Sequence, residues 1–264
     1  MERTGILTLT TDFGTDGPYV AAMKGVVLGL APETQLVDIS HTIAPQNILE
    51  GAFVLAEVVD SFPPGTVHLA VVDPGVGTDR RLLAALVNDQ WFILPDNGLI
   101  TGVVRRQAPT GVWEITNPAI RRVEVSSTFH GRDILAPASA FLLNGGDPGE
   151  LGATRDGFVT LRNFRPTPDD RGFIGEVLFR DAFGNLITNI AAELLSDAPH
   201  DAWKIELAGD HIVGLDRTYG EHPTGALIAL IGSTGWVEIA VVNGDAARQL
   251  SAGPGTTVWI RRTP

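Results

Sequence analysis

The sequence predicts an α/β N-terminal domain with a mostly parallel sheet, followed by a small all-β (sandwich or barrel) C-terminal domain. Three observations predict it. In the first half, short β-branched runs alternate with stretches whose apolar residues recur at helical spacing. In the last third, short apolar runs are separated only by turn residues. Between them, residues 144–171 are rich in Gly, Pro and Asp and show no sustained period. The expected boundaries are 1–165 for the α/β domain, 172–264 for the β domain and 144–171 for a linker region.

Gly5 to Thr11 alternates as a buried strand does and ends in Thr11-Asp12-Phe13-Gly14-Thr15-Asp16. Pro18 suits the first turn of a helix, in which Val20, Met23, Val27 and Leu30 share one face until Ala31-Pro32 stops it. Leu36 to Ser40 is a second strand. From Asn47 a second helix turns Ile48, Ala52, Leu55, Val59 and Phe62 inward, and Pro63-Pro64-Gly65 breaks it. Val67 to Val72 is a third strand, delivering Asp73 into Pro74-Gly75-Val76-Gly77-Thr78-Asp79-Arg80-Arg81. This rhythm belongs to a parallel sheet with right-handed crossovers, where ligands gather at the carboxyl ends of strands. Asp12 and Asp73 both fall there.

Leu82 to Val87 and Trp91 to Leu94 read as a hairpin over Asn88-Asp89-Gln90, leading into Pro95-Asp96-Asn97-Gly98. An apolar helix from Ile134 to Leu143 places His130, in Phe129-His130-Gly131-Arg132-Asp133, at a helix entrance. In the second half, Gly175 to Phe179, Leu186 to Ile190, Trp203 to Leu207, Ala226 to Ile231, Trp236 to Val242 and Thr256 to Ile260 are strands of a small antiparallel sheet.

With 31 acidic and 19 basic residues the formal net charge is -12. Nucleic acid is thereby an unsuitable partner and a cationic small molecule a suitable one. The absence of cysteine excludes disulfides, thiolate catalysis and Cys-ligated zinc. The first apolar run is only a strand's length and is interrupted by threonines, so no membrane span or signal peptide is expected and the protein reads as cytoplasmic. Asp12, Asp16, Asp38 and His41 match no metal-ligand spacing, so no metal is expected. Neither a phosphate loop, a GxGxxG turn nor a GxSxG elbow is present.

The residues themselves leave each constellation open. Asp12 and Asp16 flank Gly14 and serve either to cap the turn or to accept two hydroxyls of a diol. Asp73 with Arg80 or Arg81 is either an ordinary ion pair or the core of a site, and His130 is either structural or catalytic. Asp181-Ala182-Phe183-Gly184-Asn185 is a hairpin turn that also carries what an adenine ring needs, an aromatic face and an amide. Gly232-Ser233 reads as a turn.

Taken together and in order, Thr11-Asp12-Phe13-Gly14-Thr15-Asp16, Val72-Asp73-Pro74-Gly75-Val76-Gly77-Thr78, Pro95-Asp96-Asn97-Gly98, Phe129-His130-Gly131-Arg132-Asp133, Phe183-Gly184-Asn185 and Gly232-Ser233 resemble the S-adenosyl-L-methionine (SAM) hydroxide adenosyltransferases, relatives of the fluorinase and chlorinase. The resemblance implies hydrolysis of SAM to adenosine and L-methionine. SAM is then substrate and no cofactor is needed. It also implies a homotrimer with active sites at subunit interfaces. The family's Asp, Arg, His triad falls on Asp73, Arg80 and His130. Its ribose-binding aspartate falls on Asp12, with Asp16 in the loop over the ligand. Asp181 and Ser233 resemble positions that hold the methionine end, and Phe183, Asn185, Tyr219 and the backbone near Val241 resemble the adenine pocket. Two other functions compete: a non-catalytic adenosine or SAM binder, and a halide-dependent adenosyltransferase. Against the second, the fluorinase has a tyrosine where this chain has Asp73 and a threonine where it has Val76.

Overall fold

The computed structural model describes residues 4–263. Residues 1–3 and 264, which the expected domain limits include, lie outside the described residues. The chain forms two compact units, Met1–Leu161 and Arg162–Pro264.

In the first unit, β1 (Ile6–Thr11), α1 (Tyr19–Leu30), β2 (Gln35–Ser40), α2 (Ile48–Val58) and β3 (Val67–Val71) alternate as the apolar periods require. They are followed by β4 (Leu82–Val87), β5 (Gln90–Pro95), α3 (Thr101–Arg106), β6 (Gly111–Glu114) and α4 (Ala136–Leu143). The six strands form one mixed sheet in the order β2-β1-β3-β5-β4-β6. The pairs β1–β2, β1–β3 and β3–β5 are parallel, while β4 runs antiparallel between β5 and β6. Met23 and Val27 of α1 and Leu135, Ala138 and Leu142 at α4 cover one face. Leu55, Ala56 and Val59 from the α2 region and Val103 of α3 cover the other.

Two local results differ from the sequence expectation. Leu30 is 52% exposed although it lies on the apolar stripe of α1; the adjoining Ala31 is buried there instead. Gln90 belongs to β5 rather than the hairpin turn, which Asn88 and Asp89 make alone with φ of 50° and 57°. Two successive left-handed residues give the primed turn that matches strand twist. Buried Gln90 donates to the carbonyls of Val59 and Phe62 at 3.0 and 2.6 Å, and its Oε1 faces His68 Nε2 at 3.2 Å. The short α3 and β6 had no clear sequence signal.

The residues at 144–171 are divided between the units. Leu151 is buried in the first core, and the Val159 N–H donates to Asp96 Oδ1 at 2.7 Å. Phe164, in the second unit, packs edge-on against Trp236 with ring centroids 6.1 Å apart.

The second unit contains β7 (Thr167–Asp169), β8 (Gly172–Arg180), β9 (Leu186–Ala191), β10 (Trp203–Leu207), β11 (Asp210–Val213), β12 (Leu227–Ile231), β13 (Trp236–Val241), α5 (Ala246–Leu250) and β14 (Thr257–Arg262). These strands form an eight-stranded sheet in the order β11-β10-β14-β8-β9-β13-β12, with β7 attached to β8. Beyond β11, the Asp216 N–H donates to the Ala229 carbonyl of β12 at 2.7 Å, which nearly closes the sheet into a barrel. Inward residues such as Val177, Ile190, Trp203, Ile205, Ile239 and Ile260 fill its core.

Candidate active site

The chain leaves β1 for β2 on one side and returns to β3 on the other, so the strand order reverses between β1 and β3. That reversal opens a crevice at the carboxyl ends of the two strands, where doubly wound sheets bind ligands. Thr11 and Val71 are register partners, so Asp12 and Asp73 emerge from neighbouring strand ends. Both line a cavity of about 640 Å³, together with Phe13, Tyr19, Gln46, Val76, Phe129 and Arg132.

The loop after β3 folds back on itself through two turns, Val76 N–H to Asp73 O at 3.2 Å and Thr78 N–H to Gly75 O at 3.1 Å. Gly77 has φ of +80°, and a Cβ there would sit 2.4 Å from the Ser127 carbonyl oxygen, so only glycine lets these two loops meet. The fold-back lays Arg80 over Asp73. Arg80 Nε donates to Asp73 Oδ1 and Oδ2 at 2.6 and 2.8 Å, and Nη2 donates to Oδ2 as well. The side chains are 9% and 4% exposed, so the pair is shielded from water and salt.

Arg80 Nη2 also lies 3.2 Å from His130 Nδ1. A guanidinium only donates, so Nδ1 is the acceptor and a neutral His130 carries its proton on Nε2. Burial and the Arg80 charge both push the His130 pKa below its ordinary value, which agrees with that neutral form. His130 is the residue before a turn of π-helix, Gly131–Leu135, that continues into α4. Such wide turns recur at functional sites. Asp133, fully buried, anchors it by accepting from Ser126 N–H at 2.9 Å and from Arg132 Nε at 2.6 Å. Burial alone would raise the Asp133 pKa, but the Arg132 and Ser126 bonds hold it below the usual carboxylate value.

Asp73, Arg80 and His130 are thus brought together, with Asp73 at the cavity wall and the other two not among its lining residues. Arg81, the other candidate arginine, pairs with Asp96. Asp12 Oδ2 accepts from the Gln46 N–H at 2.8 Å, which fixes Gln46 in a left-handed conformation at φ 66°. Asp16 stays exposed, with only the Thr15 hydroxyl at 3.4 Å, and does not line the cavity.

A second pocket, of about 520 Å³, lies within the β unit and collects Asp181, Phe183, Asn185, Tyr219, Ser233 and Val241. Asp181 shapes its rim: Oδ1 accepts from the Phe183 and Asn185 N–H groups at 2.9 and 2.8 Å, and Oδ2 from Asn185 Nδ2 at 2.9 Å. Gly184 has φ of +88°, and a Cβ there would strike Asp245, which caps α5. The turn is therefore locked with the Phe183 ring 78% exposed, a free aromatic face rather than a core residue. Sequence reading missed Glu238, whose buried carboxylate accepts the Tyr219 hydroxyl at the pocket wall. Burial raises the pKa of both groups; Asp181 adds to the rise at Glu238, and Glu238 to that at Tyr219. A lone acid in the apolar run Trp236-Val237-Glu238-Ile239-Ala240-Val241 was its signal.

Among the described residues no group of three or more His, Cys, Asp or Glu is placed to hold a metal ion, and no helix is long and apolar enough to cross a membrane.

A doubly wound α/β unit with an Asp–Arg–His cluster at its switch point, joined to a β unit with an aromatic and amide pocket, defines a two-unit enzyme class. The chain belongs to the SAM hydroxide adenosyltransferase family, whose N-terminal domain matches residues 7–152 and whose C-terminal domain matches residues 175–259. It is 39% identical to an (R)-S-adenosyl-L-methionine hydrolase of Thermus thermophilus over 95% of this chain and 97% of the relative. A fluorinase of an Actinoplanes species is 29% identical over 70% of this chain and 71% of that one. A crystal structure of an uncharacterised conserved protein of Thermotoga maritima superposes with a TM-score of 0.88 at 35% identity, covering 97% of this chain and all of that one, 100%.

Proposed function

We propose that this protein hydrolyses S-adenosyl-L-methionine to adenosine and L-methionine by in-line attack of water at the ribose C5′ carbon, acting on the (R) sulfonium diastereomer named for its Thermus relative. The observation that carries this reading is the Asp73 carboxylate, fixed by the Arg80 fork and presented to a cavity that also holds Asp12. In the reaction the water oxygen bonds to C5′ as the C5′–S bond breaks, and its electron pair returns to sulfur. Methionine leaves as a neutral thioether, so the leaving group needs no proton, and neither a metal nor a redox cofactor has work to do. The one proton to be removed is that of the attacking water. Of the three clustered residues Asp73 alone lines the cavity and serves as the base; Arg80 aims it, and neutral His130 holds Arg80.

Asp12, with one oxygen on the Gln46 backbone, offers the other to the ribose diol. Phe183 and Asn185 supply the stacking face and amide for adenine, and Asp181 and Ser233 take the methionine end, with Tyr219 and Val241 completing the wall. Asp16 sits in the loop that covers the ligand. A homotrimer with active sites at subunit interfaces supplies both sets of residues to one substrate. Orienting water and carbon in this way supplies up to about 7–11 kcal/mol of the barrier reduction. A carboxylate at the nucleophile's position repels halide and accepts a proton from water, which favours hydrolysis over halogenation. Incubation of purified protein with each SAM diastereomer in EDTA, followed by chromatography, is expected to yield adenosine from the (R) form; tight binding without turnover at several pH values would refute it.

A further inference from the structure

The motif Pro95-Asp96-Asn97-Gly98 lines neither pocket described above. Its side chains reach the two ends of the loop that carries Asp73 and Arg80. Asn97 Nδ2 donates to the Val72 carbonyl at 2.8 Å, the last peptide oxygen before Asp73. Asn97 Oδ1 in turn accepts from the Leu99 N–H at 3.2 Å, so the amide is held by its own turn and its orientation is set. At the other end, Asp96 Oδ2 accepts from Arg81 Nε at 2.8 Å, and the Asp96 N–H donates to the Arg81 carbonyl at 2.9 Å. Arg81 follows Arg80 directly. The Asp96 side chain is 2% exposed and its other oxygen accepts from Val159 N–H, so this anchor is itself fixed from behind.

Resting on the hydrolase reading above, we infer that Asp96 and Asn97 are positioning residues: a two-point clamp that pins both ends of the Asp73–Arg80 loop and so sets the Asp73, Arg80 and His130 geometry. The physical reason is the loop's composition. Between its ends lie Pro74, Gly75, Val76, Gly77, Thr78 and Asp79, a stretch with two glycines and little side-chain packing, whose glycines leave the unclamped loop many conformations. A shift of about 1 Å at the base is enough to cost up to roughly 100-fold in rate. Neither Asp96 nor Asn97 lines the cavity, so their loss acts through the loop.

The test uses full-length Asn97→Ala and, should that variant fail to fold, Arg81→Lys, which keeps the charge facing Asp96 but loses the guanidinium geometry. Two quantities are read. The first is kcat and KM with SAM, expected to show kcat reduced roughly tenfold or more and KM changed by less than about threefold. The second is the NMR titration of His130 without substrate, assigned by comparison with His130→Gln. Its midpoint is expected to rise, because Arg80 is no longer held beside Nδ1. A role in folding alone would lower the melting temperature and leave kcat per folded molecule and the His130 midpoint where they are in the wild type; that result in the variant that folds overturns the clamp. Absence of turnover in the wild type refutes the hydrolase reading, and the His130 titration then still decides the clamp.

Discussion

Replacing Arg80 by lysine probes the link between fold and chemistry most sharply, because it keeps the charge and removes the geometry. Arg80 contacts both oxygens of Asp73 through Nε, adds an Nη2 bond to Oδ2, and reaches His130 Nδ1 at 3.2 Å through that same Nη2. A lysine ammonium is a single point at the end of a flexible stem and cannot span the fork and the imidazole together. At least one charge-assisted hydrogen bond is lost, worth about 1.5–3 kcal/mol. If that loss falls on the transition state, kcat drops roughly 10- to 150-fold, at about 1.36 kcal/mol per factor of ten. The pair is nearly sealed from solvent, so the defect should change little between low and high salt. Adenosine release at saturating SAM, normalised to folded protein by circular dichroism, measures it. A folded Arg80→Lys enzyme within twofold of wild-type kcat would show that the fork is an ordinary ion pair and that Asp73 is not aimed by it.

Three further outcomes follow from the same structure. The His130 pKa lies below 6.5 and its neutral form accepts from Arg80, so protonation turns Nδ1 into a donor facing a donor; activity should hold down to pH 6.5 and fall below it, and a kcat profile already half-lost above that value contradicts the assignment. Gly77→Ala places a side chain at φ +80° against the Ser127 carbonyl and should cost at least roughly 1–2 kcal/mol in urea unfolding, with kcat lowered too; unchanged stability would mean that the two loops are not packed as described. Buried His68, between Thr8 and Gln90, has its pKa lowered from 6.5 to about 4 by burial. The unfolded chain therefore binds the proton more readily, so this contribution is intact above pH 6.5 and is lost as pH falls from 6.5 towards 4, by about 3 kcal/mol in total; His68→Gln should flatten that part of the stability curve, and an identical curve in the variant refutes the claim.

What could be read in advance was what the chain encodes locally. Asp12 and Asp73 were legible as strand-end carboxylates because a β-branched run, an acid and a glycine turn are contiguous in sequence. His130 was placed at a helix start for the same reason. Its bond to Arg80 was not legible as geometry, because it joins residues 50 positions apart and depends on a glycine contact between two loops. The residues alone left Arg80 and Arg81 equivalent, since both follow the same turn, and only the resemblance favoured Arg80; in the structure Arg80 meets Asp73 while Arg81 meets Asp96. In the β unit, the Phe183 turn was visible, and Glu238 stood out only as a lone acid in an apolar strand, with nothing local to show that Tyr219 is its partner. Short elements such as α3, β6 and β11 carry too few residues for a period; β6 and β11 form by pairing with β4 and β10, and α3 by burying Val103 in the core.

The central claim is that water, not halide and not an enzyme group, bonds to C5′. It is tested most directly by a single turnover of (R)-SAM, with enzyme in excess, in ¹⁸O-water with chloride present, and mass spectrometry of the nucleoside. The predicted product is adenosine with one ¹⁸O in its 5′ hydroxyl, lost together with activity in Asp73→Asn. A 5′-halogenated nucleoside, unlabelled adenosine, or labelled adenosine formed at the wild-type rate by Asp73→Asn would contradict it.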